Sequence, residues 1–249
     1  MDELQLWYAR PHDLADPGVA QACAALLSRE EREHWQSFRH EERRRESLAT
    51  RALARIALSH VHPTRPEDWN FAANAQGKPH TEPDCGLRFN LSNSAALVAC
   101  LVAKGAEVGV DLEPLERAEQ ILHLAEMVFS AQEREQLGAL ATEGQRDRAL
   151  SLWTLKEAYI KARGLGLRLP LQAISFVFDQ AAGIRMELQA EIGDDARNWS
   201  FCLLDHARHR VAVMVERKYG WKLLELEALL PQSDPVPVAD TVPEWFPRS

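Results

Sequence analysis

The stretch Ser28-Arg29-Glu30-Glu31-Arg32-Glu33 returns later in the chain as Ser130-Ala131-Gln132-Glu133-Arg134-Glu135. Both copies open with Ser-x-x-Glu, the pattern in which a serine hydroxyl and a glutamate three residues on cap the first turn of a helix. A charged break follows each copy, and after it comes an apolar stripe at helical spacing. The first stripe, Leu48, Ala52, Leu53, Ile56 and Ala57, predicts a helix over residues 44–60. The second, Leu152, Leu155, Tyr159 and Ala162, predicts one over residues 147–163. Each half then enters two short apolar runs around a polar turn, which read as β-hairpins. These runs are Leu87–Leu91 with Ala96–Val102, and Ser200–Leu204 with Val211–Val215. The order helix, helix, hairpin therefore occurs twice. Such a repeat predicts an α+β pseudo-dimer with related halves at residues 1–104 and 105–230, and a ligand cleft between them. Residues 231–249, rich in proline and acid, are expected to form a poorly ordered tail.

Bulk properties narrow the function. At 249 residues, 46% of them hydrophobic, the chain can bury a substantial core. Its formal net charge of −8 argues against bulk nucleic-acid binding, which needs lysine and arginine to neutralise phosphates. Met1-Asp2-Glu3-Leu4 is polar and acidic, unlike a secretory signal, and the apolar run over residues 95–103 is too short to span a bilayer. Cys23, Cys85, Cys100 and Cys202 are scattered, without a Cys-x-x-Cys pair, and read as four buried thiols of a cytoplasmic protein.

Two motifs carry chemistry. In Gly109-Val110-Asp111-Leu112-Glu113, a strand would set Asp111 and Glu113 on one face and Val110 and Leu112 on the other. Two such carboxylates can bind one hard cation, leaving positions for water and phosphate oxygens. Taken alone, the pentapeptide is better read as a solvated strand face. In Trp153-Thr154-Leu155-Lys156-Glu157-Ala158-Tyr159-Ile160-Lys161, helical spacing aligns Trp153, Glu157 and Lys161 in one row. A Glu one turn before a Lys is usually a surface pair worth about 0.3–0.5 kcal/mol. The functional reading instead gives Glu157 to the cation and Lys161 to a phosphate. Together the motifs supply three carboxylates and a lysine, a set suited to gripping a magnesium diphosphate. His206 and His209, in a predicted hairpin turn, read as solvated loop residues.

On these residues the chain resembles the Sfp-type 4′-phosphopantetheinyl transferases. Their strand Gly-x-Asp-x-Glu stands at Gly109–Glu113 and their helix Trp-x-x-Lys-Glu-Ala-x-x-Lys at Trp153–Lys161. Likeness continues at Gly164-Leu165-Gly166-Leu167, at Leu169-Pro170-Leu171 and at Phe129-Ser130 with Glu133. Upstream it covers Gly77-Lys78-Pro79, Phe89-Asn90-Leu91-Ser92 and the Arg51–Arg55 region. The resemblance implies that family's fold, with coenzyme A in the cleft between the halves and Mg²⁺ held by Asp111, Glu113 and Glu157. It implies Lys161 against the coenzyme's phosphates, backbone contacts near the adenine from Gly77, Lys78 and Pro79, and anchoring of the nucleotide by Arg51 and the segment around Ser92.

The reaction so implied moves the 4′-phosphopantetheine group of coenzyme A onto a serine of an apo acyl or peptidyl carrier protein, releasing 3′,5′-ADP. Glu113, Glu157 and Lys161 are the expected catalytic residues, with Glu157 or Glu113 taking the serine proton, directly or through a metal-bound water. The charge, the polar N-terminus and the cysteine usage predict a cytoplasmic protein with no membrane or nucleic-acid partner, and an internally duplicated chain, able to supply both halves of its cleft, is expected to be a monomer. Two positions depart from the family pattern. Asn93 stands where the family usually has a histidine that contacts the phosphates, and His34 where relatives often carry a cation near the 3′-phosphate, with Glu31 close by. Both thin the positive lining of the coenzyme site. Arg39, Arg43, Arg44 and Arg45 could compensate, could serve as a docking patch for an acidic carrier protein, or could be a solvated helix face. The alternative reading is a catalytically reduced coenzyme A or nucleotide-binding protein of the same fold. An RNA-binding module on Arg39–Arg45 is disfavoured by the acidic total and the lack of interleaved aromatics.

Overall fold

A computed structural model of the chain describes residues 3–166, 169–179, 181–216, 221–231, 234–238 and 244–246. In chain order its elements are β1 (Glu3–Ala9), α1 (Pro17–Ala25), α2 (Arg29–Ser37), α3 (Glu41–Val61), β2 (Phe71–Ala73), β3 (Pro79–Thr81), β4 (Leu87–Asn93) and β5 (Val98–Lys104). These are followed by β6 (Val108–Pro114), α4 (Ala118–Leu122), α5 (Ala125–Val128), α6 (Ala131–Gly138), α7 (Thr142–Arg163), β7 (Ile174–Asp179) and β8 (Gly183–Leu188). The last are β9 (Trp199–His206), β10 (His209–Glu216), β11 (Lys222–Glu227) and β12 (Val236–Pro237). Two compact units result, residues 1–105 with 219–242, and residues 106–218 with 243–249.

In the first unit, Ser28 Oγ accepts from the Glu31 N–H at 3.2 Å while the Glu31 carboxylate accepts from the Ser28 N–H at 3.0 Å, so α2 starts in a complete capping box. Helix α3 begins at Glu41, earlier than predicted, because Glu41 and Glu42 suit the positive end of a helix. Its stripe of Leu48, Ala52, Leu53 and Ile56 packs into a core with Trp7, Phe89, Val98 and Cys100. Strand β5 pairs antiparallel with both β1 and β4, placing Leu101 opposite Leu6 and Cys100 opposite Leu91.

The second unit follows the same plan. Ser130 and Glu133 form the second capping box, at 3.3 and 2.8 Å, and open α6. Helix α7 begins at Thr142 and stops at Gly164, whose φ of 60° provides the left-handed cap a glycine adopts freely. Its apolar side packs with Phe129, Phe176, Phe201 and Met214. Strand β10 pairs antiparallel with β6 and β9, as β5 does with β1 and β4. Both halves add a small hairpin before the predicted one, β2–β3 and β7–β8.

Each capping-box glutamate also meets a buried cation from the long helix. Glu31 accepts from Arg51 at 3.0 Å and from Arg55, and Arg55 donates onward to the carbonyls of Pro66 at 3.0 Å and Trp69 at 2.8 Å. Glu133 lies 2.7 Å from the Lys156 ammonium, which donates to the carbonyls of Leu171 at 2.8 Å and Ile174 at 2.5 Å. Both side chains of the second pair are wholly buried. The lysine of the helix motif is therefore a strut that ties α6, α7 and the entry to β7 together.

Gly109 sets how closely β6 lies against α7. A Cβ at that position would stand 2.0 Å from the Ala158 carbonyl oxygen and 2.5 Å from the Ala162 nitrogen, so only glycine fits between strand and helix backbone.

Several expectations need correction. The grouping of residues 105–230 does not hold at its C-terminal end, because β11 pairs in parallel with β1 of the first unit, from Glu3 opposite Lys222 to Tyr8 opposite Glu227. The tail is partly packed: β12 pairs with β11, and Phe246 exchanges backbone hydrogen bonds with Phe201 while burying its ring. His209 is buried at the start of β10, with its ring 2.8 Å from the Ala207 carbonyl oxygen, because the hairpin turns on Ala207 and Arg208 alone. Cys85 is half-buried, while the other three cysteines are fully buried. Leu167 lies outside the described residues. Among the described residues no helix is long and apolar enough to cross a membrane.

Removing one partner of a buried ion pair leaves the other charge stranded. Lys156→Met is expected to cost about 3–5 kcal/mol, read from urea midpoints. Gly109→Ala is expected to cost about 3 kcal/mol, because the backbone it strikes cannot turn aside as a side chain would.

Candidate active site

Strand β6 and helix α7 face each other through the two motif rows. Lys161 Nζ donates to Asp111 Oδ1 at 2.7 Å, and the Trp153 indole N–H donates to Glu113 Oε1 at 2.8 Å. Glu157 lies between Trp153 and Lys161 on the helix, one turn from each. Asp111 and Glu113 are both buried, so this strand face is not the solvated one the pentapeptide suggests when read alone. Arg117, one turn beyond Glu113, closes the group by donating to Glu113 Oε2 at 2.5 Å. Sequence reasoning passed over Arg117; its only local signal is its position four residues after Glu113 and next to the start of α4.

Three carboxylates thus face two cations. Burial, and then the Asp111 charge, push the Glu157 carboxyl up from 4.5 to about 7. Burial and Asp111 also raise Glu113, against the pull of the Trp153 hydrogen bond and the Arg117 charge. Among the described residues no group of three or more His, Cys, Asp or Glu is gathered closely enough to hold a metal ion. The charge balance nevertheless suits one. A buried carboxylate that keeps its proton to near neutrality for lack of compensating charge is one that a divalent cation would stabilise, and all-oxygen donors suit magnesium.

Apart from Lys161 on α7, the predicted coenzyme residues lie in the first unit, where α2, α3, β4 and the β2–β3 turn enclose a groove of about 1460 Å³. His34, Arg51, Gly77, Pro79 and Asn93 line it; Lys78 and Ser92 do not, and Ser92 is buried within β4. Gly77 has a φ of 88° in a turn held by Asn74, whose side-chain oxygen accepts from the Gln76 and Lys78 N–H groups at 2.9 Å each. Trp69, Phe71 and Phe89 give the groove aromatic walls. Glu31, noted in the sequence beside His34, also lines it, as does Glu46, which sequence reasoning passed over. Burial opposes the charge of Glu31, but the Ser28 N–H with Arg55 and Arg51 holds its carboxyl below the ordinary range. Glu46, buried on α3, receives the side-chain amide of Asn93 and pairs with Arg43 at 3.1 Å. Arg44 and Arg45 pair with Glu41 at 3.5 and 3.3 Å, so much of the basic run is neutralised within its own helix.

The family described as the 4′-phosphopantetheinyl transferase superfamily matches residues 107–214. The chain is 30% identical over 224 residues to the 4′-phosphopantetheinyl transferase HetI of Nostoc, covering 89% of this chain and 90% of that protein. To the 4′-phosphopantetheinyl transferase Sfp of Bacillus subtilis it is 30% identical over 164 residues, covering 66% and 72%. To the 4′-phosphopantetheinyl transferase AcpT of Escherichia coli it is 38% identical over 122 residues, covering 49% and 59%.

Between pH 4.5 and about 7 the folded protein holds a proton on Glu157 that the unfolded chain has lost, so this group's contribution to stability falls as pH rises. In the presence of a chelator, Glu157→Gln should match the wild type near pH 4.5 and become progressively more stable than it up to about pH 7. Denaturant midpoints across that range provide the measurement.

Proposed function

The chain belongs to the 4′-phosphopantetheinyl transferase superfamily, and on that premise we propose that it transfers the 4′-phosphopantetheine group of coenzyme A to a serine of an apo acyl or peptidyl carrier protein, releasing 3′,5′-ADP. One observation supports this reading above the rest: the Trp153, Glu157 and Lys161 row of α7 meets the Asp111 and Glu113 row of β6, with the strand carboxylates buried and coupled to Glu157.

In this reading the adenosine end of coenzyme A enters the groove beside His34, Arg51, Gly77, Pro79 and Asn93, with Lys78 and Ser92 supporting its turn and strand. Asp111, Glu113 and Glu157 would hold magnesium, and the chemistry supplied by the bound ion is neutralisation of charge on the diphosphate oxygens. Lys161, freed from Asp111, places an ammonium against a non-bridging phosphate oxygen. The serine Oγ attacks the β-phosphorus in line, its bond to phosphorus forms as the bond to the 3′,5′-ADP oxygen breaks, and the proton passes to Glu157 or Glu113. A carboxyl drawn toward neutral pH by burial suits that role. The reading extends to a cytoplasmic monomer built as a pseudo-dimer. Four free cysteines fit a reducing compartment, and the repeated order of elements within one chain fits a site that needs no second copy.

Incubation with coenzyme A, Mg²⁺ and a panel of apo carrier proteins should add one phosphopantetheine mass to a carrier serine, read by intact-protein mass spectrometry. Glu157→Gln should lower that rate by about 10³-fold or more while keeping the wild-type circular dichroism. A folded Glu157→Gln variant with full activity would remove Glu157 from the mechanism, and no modification across the panel would overturn the reading.

A further inference from the structure

The groove of the first unit is lined by four arginines and four glutamates, and the arginines are already engaged. Arg51 and Arg55 both donate to Glu31, at 3.0 Å for Arg51. That carboxylate cannot swing aside for a ligand without giving up the helix cap it forms with the Ser28 N–H at 3.0 Å. Arg43 pairs with Glu46 at 3.1 Å, and the buried Glu46 also takes the side-chain amide of Asn93, so the polar group at position 93 is turned toward a carboxylate. Arg29 pairs with Glu33 at 2.9 Å. Glu30 and Glu82 add two further negative charges to the lining.

A phosphate monoester, carrying close to two negative charges near neutral pH, gains little from such a surface. Arg51 and Arg55 share one carboxylate, but with Glu30 and Glu82 the lining carries as many carboxylates as arginines, and the repulsion offsets the attraction. What the groove does offer a nucleoside is neutral: the aromatic walls of Trp69, Phe71 and Phe89 and the backbone of the Gly77 turn. We infer that the 3′-phosphate of the coenzyme is not a recognition element for this protein, which uses 3′-dephospho-coenzyme A as a donor about as well as coenzyme A. The inference rests on the transferase reading. The chemistry balances in the same way: the serine oxygen forms its bond to the same phosphorus, the serine proton goes to the same carboxylate, and 5′-AMP leaves in place of 3′,5′-ADP.

A dedicated charged contact to the 3′-phosphate would favour coenzyme A by about tenfold or more. The test compares kcat/KM for coenzyme A and 3′-dephospho-coenzyme A on one apo carrier protein with the full chain, alongside calorimetric titration of 3′,5′-ADP and of 5′-AMP. A ratio within about fivefold in kcat/KM, matched by a similar ratio of the two nucleotide affinities, is the expected result. A larger preference for coenzyme A overturns the inference and leaves the transferase reading intact, whereas transfer from neither donor overturns the transferase reading itself. Glu46→Gln, which releases Arg43 from its carboxylate, should shift the ratio toward coenzyme A by about fivefold or more. An unchanged ratio in that variant, with its fold confirmed by circular dichroism, also counts against the inference, and if the variant fails to fold the wild-type comparison decides alone.

Discussion

The geometry of the candidate active site depends on one steric constraint, the contact of the Gly109 backbone with the backbone of α7 at Ala158 and Ala162. A strand normally meets a helix through side chains, which keep the two backbones well apart. Here the missing side chain brings them together, and the residues two and four positions along β6 inherit the short separation. Lys161 can reach Asp111, and Trp153 can reach Glu113, only because of it. A methyl group between strand and helix would push those atoms toward the limit of hydrogen bonding. The glycine of the strand motif and the helix motif are thus two halves of one packing solution.

The repeat reaches deeper than its serines and glutamates. In each half a single glutamate caps a helix and receives a cation from the next helix, and that cation also binds the carbonyls that lead into a hairpin. The halves differ in which cation they use. Arg55, with its forked donors, serves Glu31 and two carbonyls, and this cluster lies at the wall of a groove. Lys156, a compact point charge, is enclosed with Glu133 in a core. The cluster thus lines a groove in one half and stiffens the core beneath the Trp153, Glu157 and Lys161 row in the other.

Much of this was legible in the chain. Capping boxes, helical stripes and hairpin alternation are local patterns, and the elements they predicted around residues 28, 48, 130 and 152 are present. The alignment of Trp153, Glu157 and Lys161 follows from helical period alone. What escaped depends on contacts distant in sequence. Nothing local in Lys222–Glu227 says that its partner is the first strand, and nothing in a proline-rich tail says that Phe246 will find Phe201. Arg117 and Glu46 were missed because a charged residue near a helix start reads as solvated until its burial partners are known. The groove's near-balance of charge was invisible for the same reason: composition counts charges but not who faces whom.

The parallel pairing of β1 with β11 has a consequence for the order in which the molecule can be assembled. Strand β1 (Glu3–Ala9) is synthesised long before β11 (Lys222–Glu227). Until β11 arrives, β1 can be flanked only by β5, with one row of its backbone N–H and C=O groups open to water or to other chains. While the residues between them are made the first unit keeps a ragged margin, and its closure waits on the second unit's having been synthesised in between.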